Sequence, residues 1–163
     1  MFKNKINKYL NYQLNLEYYS SKLYLEMSFW CDIKNLENAK IFFKNSSNDE
    51  LKHMNKLSKF LCDIDILPVI NSNILLNKNF NSLQNIFKKA YINEKKITHN
   101  INYISDIALK YKNYKIFHFL SWYILKQIEE EKVLKTIINN LVFYNNKQKD
   151  ILIFDNLFLS KYI

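Results

Sequence analysis

The chain has 163 residues, 48% hydrophobic and 24% charged, with a formal net charge of +9 and neither glycine nor arginine. That length is most simply one domain over residues 1–163, with too many apolar residues for a disordered tail and enough for a substantial core. With no glycine and a single proline, Pro68, a β-sandwich and a Rossmann-type fold are excluded, because their turns and phosphate loops depend on glycine.

The positive charge comes entirely from lysine. Lysine is inflated together with Asn, Ile, Tyr and Phe, the residues of A/T-rich codons, so the charge reads as compositional bias. Without arginine there is no bidentate reader of phosphate or guanine, which argues against a nucleic-acid partner. No segment reaches the roughly 18 apolar residues of a membrane span. Asn4, Lys5, Asn7, Lys8, Asn11 and Gln13 interrupt any apolar signal core, so the expected compartment is the cytoplasm.

Residues 6–32 predict a first helix, with an inward stripe of Leu10, Leu14, Glu17, Ser21, Tyr24, Ser28 and Cys31 in alternating steps of three and four. A short connection, Ile33-Lys34-Asn35, then forces an antiparallel partner over 36–63. Its stripe is Leu36, Ala39, Phe43, Ser46, Glu50, His53, Leu57 and Phe60. Cys31 and Cys62 fall at opposite ends of this hairpin, about 40 Å apart at helical rise, too far for a disulfide. Both are expected as reduced, packed thiols.

Periodicity is lost from Ile64 to Asn81, a stretch too long for an ordinary turn. It predicts a crossover along the bundle that sets the second and third helices parallel, with Ile74, Leu75 and Leu76 packing on something, such as another subunit. Ser82 is a fitting N-cap for a third helix over 82–110, with the stripe Leu83, Phe87, Ala90, Glu94, Ile97, Ile101, Ile104 and Ala108. A fourth helix over 114–141 has the stripe Phe117, Leu120, Ile124, Gln127, Glu130, Leu134, Ile137 and Leu141. A polar linker, residues 145–149, leads to a short apolar fifth helix over 151–159, expected as an oligomer contact. The fold class is all-α: an antiparallel four-helix bundle with a long crossover.

Each stripe is apolar except near its middle, where Glu17, Glu50 with His53, Glu94, and Gln127 with Glu130 stand. In a bundle these six side chains meet at one level. A common offset of 77 residues carries Glu17, Glu50 and His53 onto Glu94, Gln127 and Glu130, so the two hairpins read as two copies of one unit. Four carboxylates cannot all ionise at one buried point; repulsion and desolvation would force protonation. Cations resolve this. Oxygen-rich sites with one imidazole suit Fe, Mn or Zn, and bridging carboxylates suit a metal pair. A metal-free hydrogen-bonded network is the competing reading, which the surplus of carboxylates disfavours.

Across about residues 5–161 the chain resembles the bacterial non-haem ferritins, in Asn15-Leu16-Glu17-Tyr18-Tyr19-Ser20-Ser21, Glu50-Leu51-Lys52-His53-Met54 and Gln127-Ile128-Glu129-Glu130-Glu131-Lys132. Ferritin-like di-iron bundles present an inward Glu-x-x-His from each of two helices. Here the second copy is Gln127-x-x-Glu130, which resembles ferritins rather than bacterioferritins or rubrerythrins. Bacterioferritins bind haem through a Met where this chain has Leu51, so no haem is expected.

The resemblance implies a homo-oligomeric shell of 24 subunits. It implies oxidation of Fe(II) by oxygen or peroxide at a di-iron centre, with ferric mineral stored inside. Glu17, Glu50 and His53 would hold one iron, and Glu50 would bridge to a second held by Glu94 and Glu130. Gln127 would lie beside the oxygen-facing side, and Tyr24 would be the tyrosine near the centre, with a catalytic role as electron donor or hydrogen-bond partner of the site rather than in packing alone. The family's third iron site would fall on Asp49, Glu129 and Glu130, but Lys126 stands where the family has Glu. That site is expected to be weak or lost. The turn Lys110-Tyr111-Lys112-Asn113-Tyr114-Lys115 is basic where ferritins carry acidic channels. His99 and His118 are expected to be solvated or packed. The alternative reading is a catalytically impaired structural shell or a polyanion-binding bundle.

Overall fold

In the computed structural model the described residues are 2–72, 75–76, 79–144 and 147–163, with side chains described from Lys5 onward. They form five α-helices and a short 3-10 turn: α1 (Phe2–Ile33), α2 (Glu37–Asp63), α3 (Leu83–Lys110), α4 (Tyr114–Leu141), α5 (Gln148–Leu157) and a turn over Leu159–Tyr162. No helix among the described residues is long and apolar enough to cross a membrane.

The four long helices follow the sequence stripes closely. Every stripe position of α1 and α3 is buried. On α2 the stripe is rotated slightly, so that Ser47 is buried and Ser46 and Phe60 are half-buried. α5 begins three residues earlier than its apolar run, because Gln148, Lys149 and Asp150 supply its first turn. Asn145 and Asn146 of the expected linker lie outside the described residues, as do Asn73, Ile74 and Asn77 of the crossover.

A chain without glycine still has to end its helices. α1, α2 and α3 all end the same way, with Asn35, Asp65 and Lys112 at φ 56, 58 and 55. After each, an N–H reaches back to the last turn: Leu36 to Cys31, Ile66 to Leu61 and Asn113 to Ala108, at 3.0, 2.9 and 2.7 Å. This is the Schellman closure that glycine usually serves; Asn and Asp tolerate the left-handed conformation better than most, and Lys112 bears its steric cost. Ser82 caps α3 as expected, its hydroxyl accepting from the Asn85 N–H at 3.1 Å.

The crossover is pinned to α1 by two asparagines. The Asn11 amide donates to Leu67 O at 3.2 Å and accepts from the Val69 N–H at 2.7 Å. Asn15 repeats this one helical turn later with Val69 O and the Asn71 N–H, both at 2.7 Å. The chain thus climbs back along α1, which sets α3 parallel to α2 and antiparallel to α1. Leu67, Val69, Ile70 and Leu75 are exposed on this climb, whereas Leu76 packs against the core.

Buried apolar side chains fall into two clusters. One includes Met27, Phe43, Phe87 and Ile137; the other includes Leu10, Leu57, Ile101 and Leu120. A polar layer separates them. The fifth helix buries part of its apolar run within the chain: Phe154, and Leu159 in the turn that follows, are fully buried in the first cluster, while Ile153 and Leu157 are exposed. Cys31 is a buried free thiol; Cys62 is free and exposed rather than packed.

Candidate metal centre

The polar layer contains all six residues picked out by their stripe positions. α1 supplies Glu17, α2 Glu50 and His53, α3 Glu94, and α4 Gln127 and Glu130, and all but Glu130 are at most 5% exposed. Two groups of side chains bring a ligand atom each to within 4.8 Å of one another: Glu17, Glu50 and His53, and Glu50, Glu94 and Glu130. Glu50 is common to both. His53 Nδ1 lies 3.7 Å from Glu17 Oε2 and 3.6 Å from Glu50 Oε2, and its Nε2 lies 3.9 Å from Glu130 Oε1.

Hydrogen bonds hold one oxygen of Glu17 and both oxygens of Glu94. Gln13 Nε2 donates to Glu17 Oε1 at 2.5 Å, and Asn100 Nδ2 donates to Gln13 Oε1 at 2.8 Å. Tyr24 donates its phenolic proton to Glu94 Oε1, and Gln127 Nε2 donates to Glu94 Oε2 at 2.8 Å. Asn93 braces this side from Ser20 Oγ and Tyr24 Oη, at 2.7 and 3.3 Å. Tyr123 Oη donates to the His53 carbonyl at 2.7 Å, fixing α4 against α2 at the histidine.

What remains bears on the two readings of the layer. Glu17 Oε2, Glu50 Oε2 and Glu130 Oε2 are buried and have no hydrogen-bond partner. A self-contained polar network would pair them, since an orphaned buried acceptor costs on the order of 1–3 kcal/mol and a charged one more. Two of these oxygens, on Glu17 and Glu50, face the His53 imidazole, and the group of carboxylates with one imidazole is of a kind that could hold hard or borderline divalent cations.

The electrostatics agree. Burial, reinforced by the charges of Glu94 and Glu17, pushes the Glu50 carboxyl well above the usual carboxylate range. Burial likewise raises Glu130 to about 9, with Glu94 and Glu17 adding to it and Lys126 opposing. Glu94 rises only to about 7, because the Tyr24 and Gln127 hydrogen bonds hold its charged form against burial. Without cations the layer keeps protons that a cation would displace. Burial also pushes the Tyr24 phenol well above its ordinary range, so it serves as a donor to Glu94.

Asp49 and Glu129 stand apart from this layer. Both are exposed, and each is ion-paired: Asp49 to Lys52 at 2.6 Å and Glu129 to Lys126 at 3.2 Å. They share with Glu130 a cavity of about 270 Å³. His99 and His118 are exposed and belong to neither group.

Gln13, Asn93, Asn100, Thr98 and Tyr123 support the layer and were not singled out from sequence. The offset of 77 carries Gln13 onto Ala90 and Asn93 back onto Leu16, so these supports lie outside the repeat that exposes the six. The available signal was helical spacing: Gln13 precedes Glu17 by four residues, and Thr98 follows Glu94 by four.

Comparison with known proteins gives one consistent result. The family model described as a ferritin-like domain matches residues 7–142. The bacterial non-heme ferritin of Escherichia coli is 39% identical over 141 residues, 86% of each chain. A probable bacterial non-heme ferritin-like protein of Haemophilus influenzae is 36% identical over 155 residues, 95% of this chain and 94% of that one. Among solved structures, an open pore ferritin from the hyperthermophilic archaeon Archaeoglobus fulgidus superimposes with a TM-score of 0.89 at 26% identity, over 96% of each chain.

Proposed function

The chain belongs to the ferritin family, and we propose that it is an iron-storage ferritin that oxidises Fe(II) at the buried carboxylate layer. The observation that carries this reading is the trio of orphaned buried oxygens on Glu17, Glu50 and Glu130, in the layer that also holds His53. Glu17, Glu50 and His53 would hold one ferrous ion, and Glu50, Glu94 and Glu130 the second, with Glu50 common to both. We read the whole chain as one ferritin-like domain.

Two Fe(II) supply two electrons, which with two protons reduce dioxygen to hydrogen peroxide and leave two Fe(III) for storage; peroxide is an equally fitting oxidant. The protein's own part is positional. Gln13 turns Glu17 so that Oε2 faces His53, and Asn100 orients Gln13. Tyr24 and Gln127 hold both oxygens of Glu94 and lower the cost of its negative charge. Burial of the layer excludes bulk water, which strengthens the attraction between carboxylates and cations.

Two ions rather than three is the proposed stoichiometry. Asp49 and Glu129 are neutralised by Lys52 and Lys126, and an ammonium beside Glu130 repels a further cation. The proposed assembly is a homo-oligomeric shell of 24 subunits in the cytoplasm. The exposed Leu67, Val69, Ile70 and Leu75 on the crossover and Phe29 on α1 support subunit contacts, since an apolar surface of this kind is usually covered.

Anaerobic addition of Fe(II) followed by oxygen tests the reading. Ferric absorbance should appear rapidly in the wild type and be lost in Glu50→Ala and His53→Ala. Unchanged kinetics in both variants would refute the site.

A further inference from the structure

The C-terminal turn ends beside the metal layer. Tyr162 lines the same cavity of about 270 Å³ as Glu50, Glu94 and Glu130. It is held there by a built anchor. The Asp155 carboxylate accepts from the backbone N–H groups of Asn38 and Ala39 at 3.1 and 2.8 Å, and Asn38 Nδ2 donates to Asp155 O at 3.0 Å. Leu36, at the N-cap position of α2, makes no side-chain cap, so Asp155 caps that helix from a distant part of the chain. Beyond Asp155 the rings step outward: Phe154 to Phe158 at 5.0 Å and Phe158 to Tyr162 at 5.6 Å.

The cavity is partly open to solvent, and at about 30 Å³ per water molecule its volume corresponds to roughly nine waters, room for a divalent ion with its six-water shell. Its walls line the approach to Glu50, Glu94 and Glu130. Tyr162 is the wall contributed from outside the four-helix bundle.

We propose that Tyr162 is a gate residue of the metal site: its ring restricts the cavity to hydrated ions and small oxidants and shuts out bulkier species such as multidentate chelators. This rests on the reading of the layer as a metal centre, and deepens it by assigning the site a size limit set by the C-terminal turn.

The test uses the assembled full-length protein with Co(II) as the probe and EDTA as the bulky competitor. Co(II) binding is measured from its visible absorption, and its removal by EDTA is followed as loss of that absorption. In the wild type EDTA must await local opening of the turn. Tyr162→Ala removes that requirement and should release Co(II) roughly tenfold faster, equivalent to about 1.4 kcal/mol. Tyr162→Phe keeps the ring and should release at close to the wild-type rate. All three proteins should bind the same number of Co(II) ions. Equal release rates in Tyr162→Ala and wild type, at unchanged stoichiometry, overturn the gate alone. Release from Tyr162→Phe as fast as from Tyr162→Ala overturns the argument from size. Failure of the wild type to bind Co(II) overturns the metal centre and the gate with it.

Discussion

Glu50 Oε2 stands 3.6 Å from His53 Nδ1, one turn away on the same helix, yet Glu50 also belongs to the group completed by Glu94 and Glu130 on the two other helices. One carboxylate therefore serves both halves of the layer. Removing it should cost more than removing a ligand of one half. Glu50→Ala is expected to abolish binding of both ions, whereas Glu17→Ala should lose one and weaken the other by roughly the 10–100-fold typical of a disturbed metal site. Isothermal titration with Co(II) or anaerobic Fe(II) distinguishes them; a full two-ion stoichiometry in Glu50→Ala would contradict the shared role.

The raised carboxyls set a pH dependence for the metal-free protein. Burial holds protons on Glu50, on Glu94 up to about 7 and on Glu130 up to about 9, whereas in the unfolded chain they leave near pH 4.3. The native state thus binds more protons than the unfolded state across this window, so ΔG of unfolding falls as pH rises. The contribution is fully present below about pH 4 and is lost as pH climbs through 7 and then 9, at about 1.4 kcal/mol per proton per pH unit. Urea denaturation of metal-free protein should show a midpoint that declines from pH 5 to pH 9. Saturating Co(II) should flatten or reverse that decline, since a cation replaces the protons. A metal-free midpoint rising over that range would contradict the assigned protonation.

Most of this architecture is legible in the sequence because two periodicities coincide. The 3.6-residue stripe sets the four helices, and polar residues interrupting it at mid-helix mark Glu17, Glu50, His53, Glu94, Gln127 and Glu130. What is not legible depends on contacts between residues far apart in sequence. Asn11 and Asn15 look like ordinary helix-surface residues, and only the crossover lying beside them gives their amides a purpose. Gln13 reads as an interruption of an apolar run, although it orients Glu17. Asp155 sits in an apolar segment whose helix was expected to pack on another subunit. Its role at the α2 N-terminus follows from a sequence separation of more than a hundred residues that no local pattern reports.

That Asp155 contact has a stability consequence separate from the proposed metal chemistry. It satisfies two N–H groups of the first turn of α2 and places a carboxylate at the positive end of the helix. Asp155→Ala should destabilise the protein by about 1–2 kcal/mol, the usual cost of losing a cap. Asp155→Asn keeps one acceptor and should lose about half as much. Chemical denaturation in saturating Co(II) keeps the metal layer constant between variants. No shift of midpoint in Asp155→Ala would show that α5 is held by Phe154 and Leu159 alone.

Lys126 offers the sharpest test of how many ions the layer takes. Its ammonium lies 3.2 Å from Glu129 Oε2, and its positive charge opposes the rise in the Glu130 pKa. Asp49, on the same cavity, is drawn toward Lys52 instead. Replacing Lys126 with glutamate changes the local charge by two units and frees Glu129. Lys126 and Glu129 are 40% and 69% exposed, so solvent screens part of this change, but its sign favours a further cation. The wild type is expected to bind two ferrous or cobaltous ions per chain, and Lys126→Glu a third, weaker one. Lys126→Gln removes the repulsion without adding a ligand, so it should leave the count at two and tighten the ion held by Glu94 and Glu130. Three tight ions in the wild type would show that the lysine does not disable the neighbouring carboxylates. A count of two in Lys126→Glu would show that the shorter Asp49 side chain, rather than the lysine, is what limits the site.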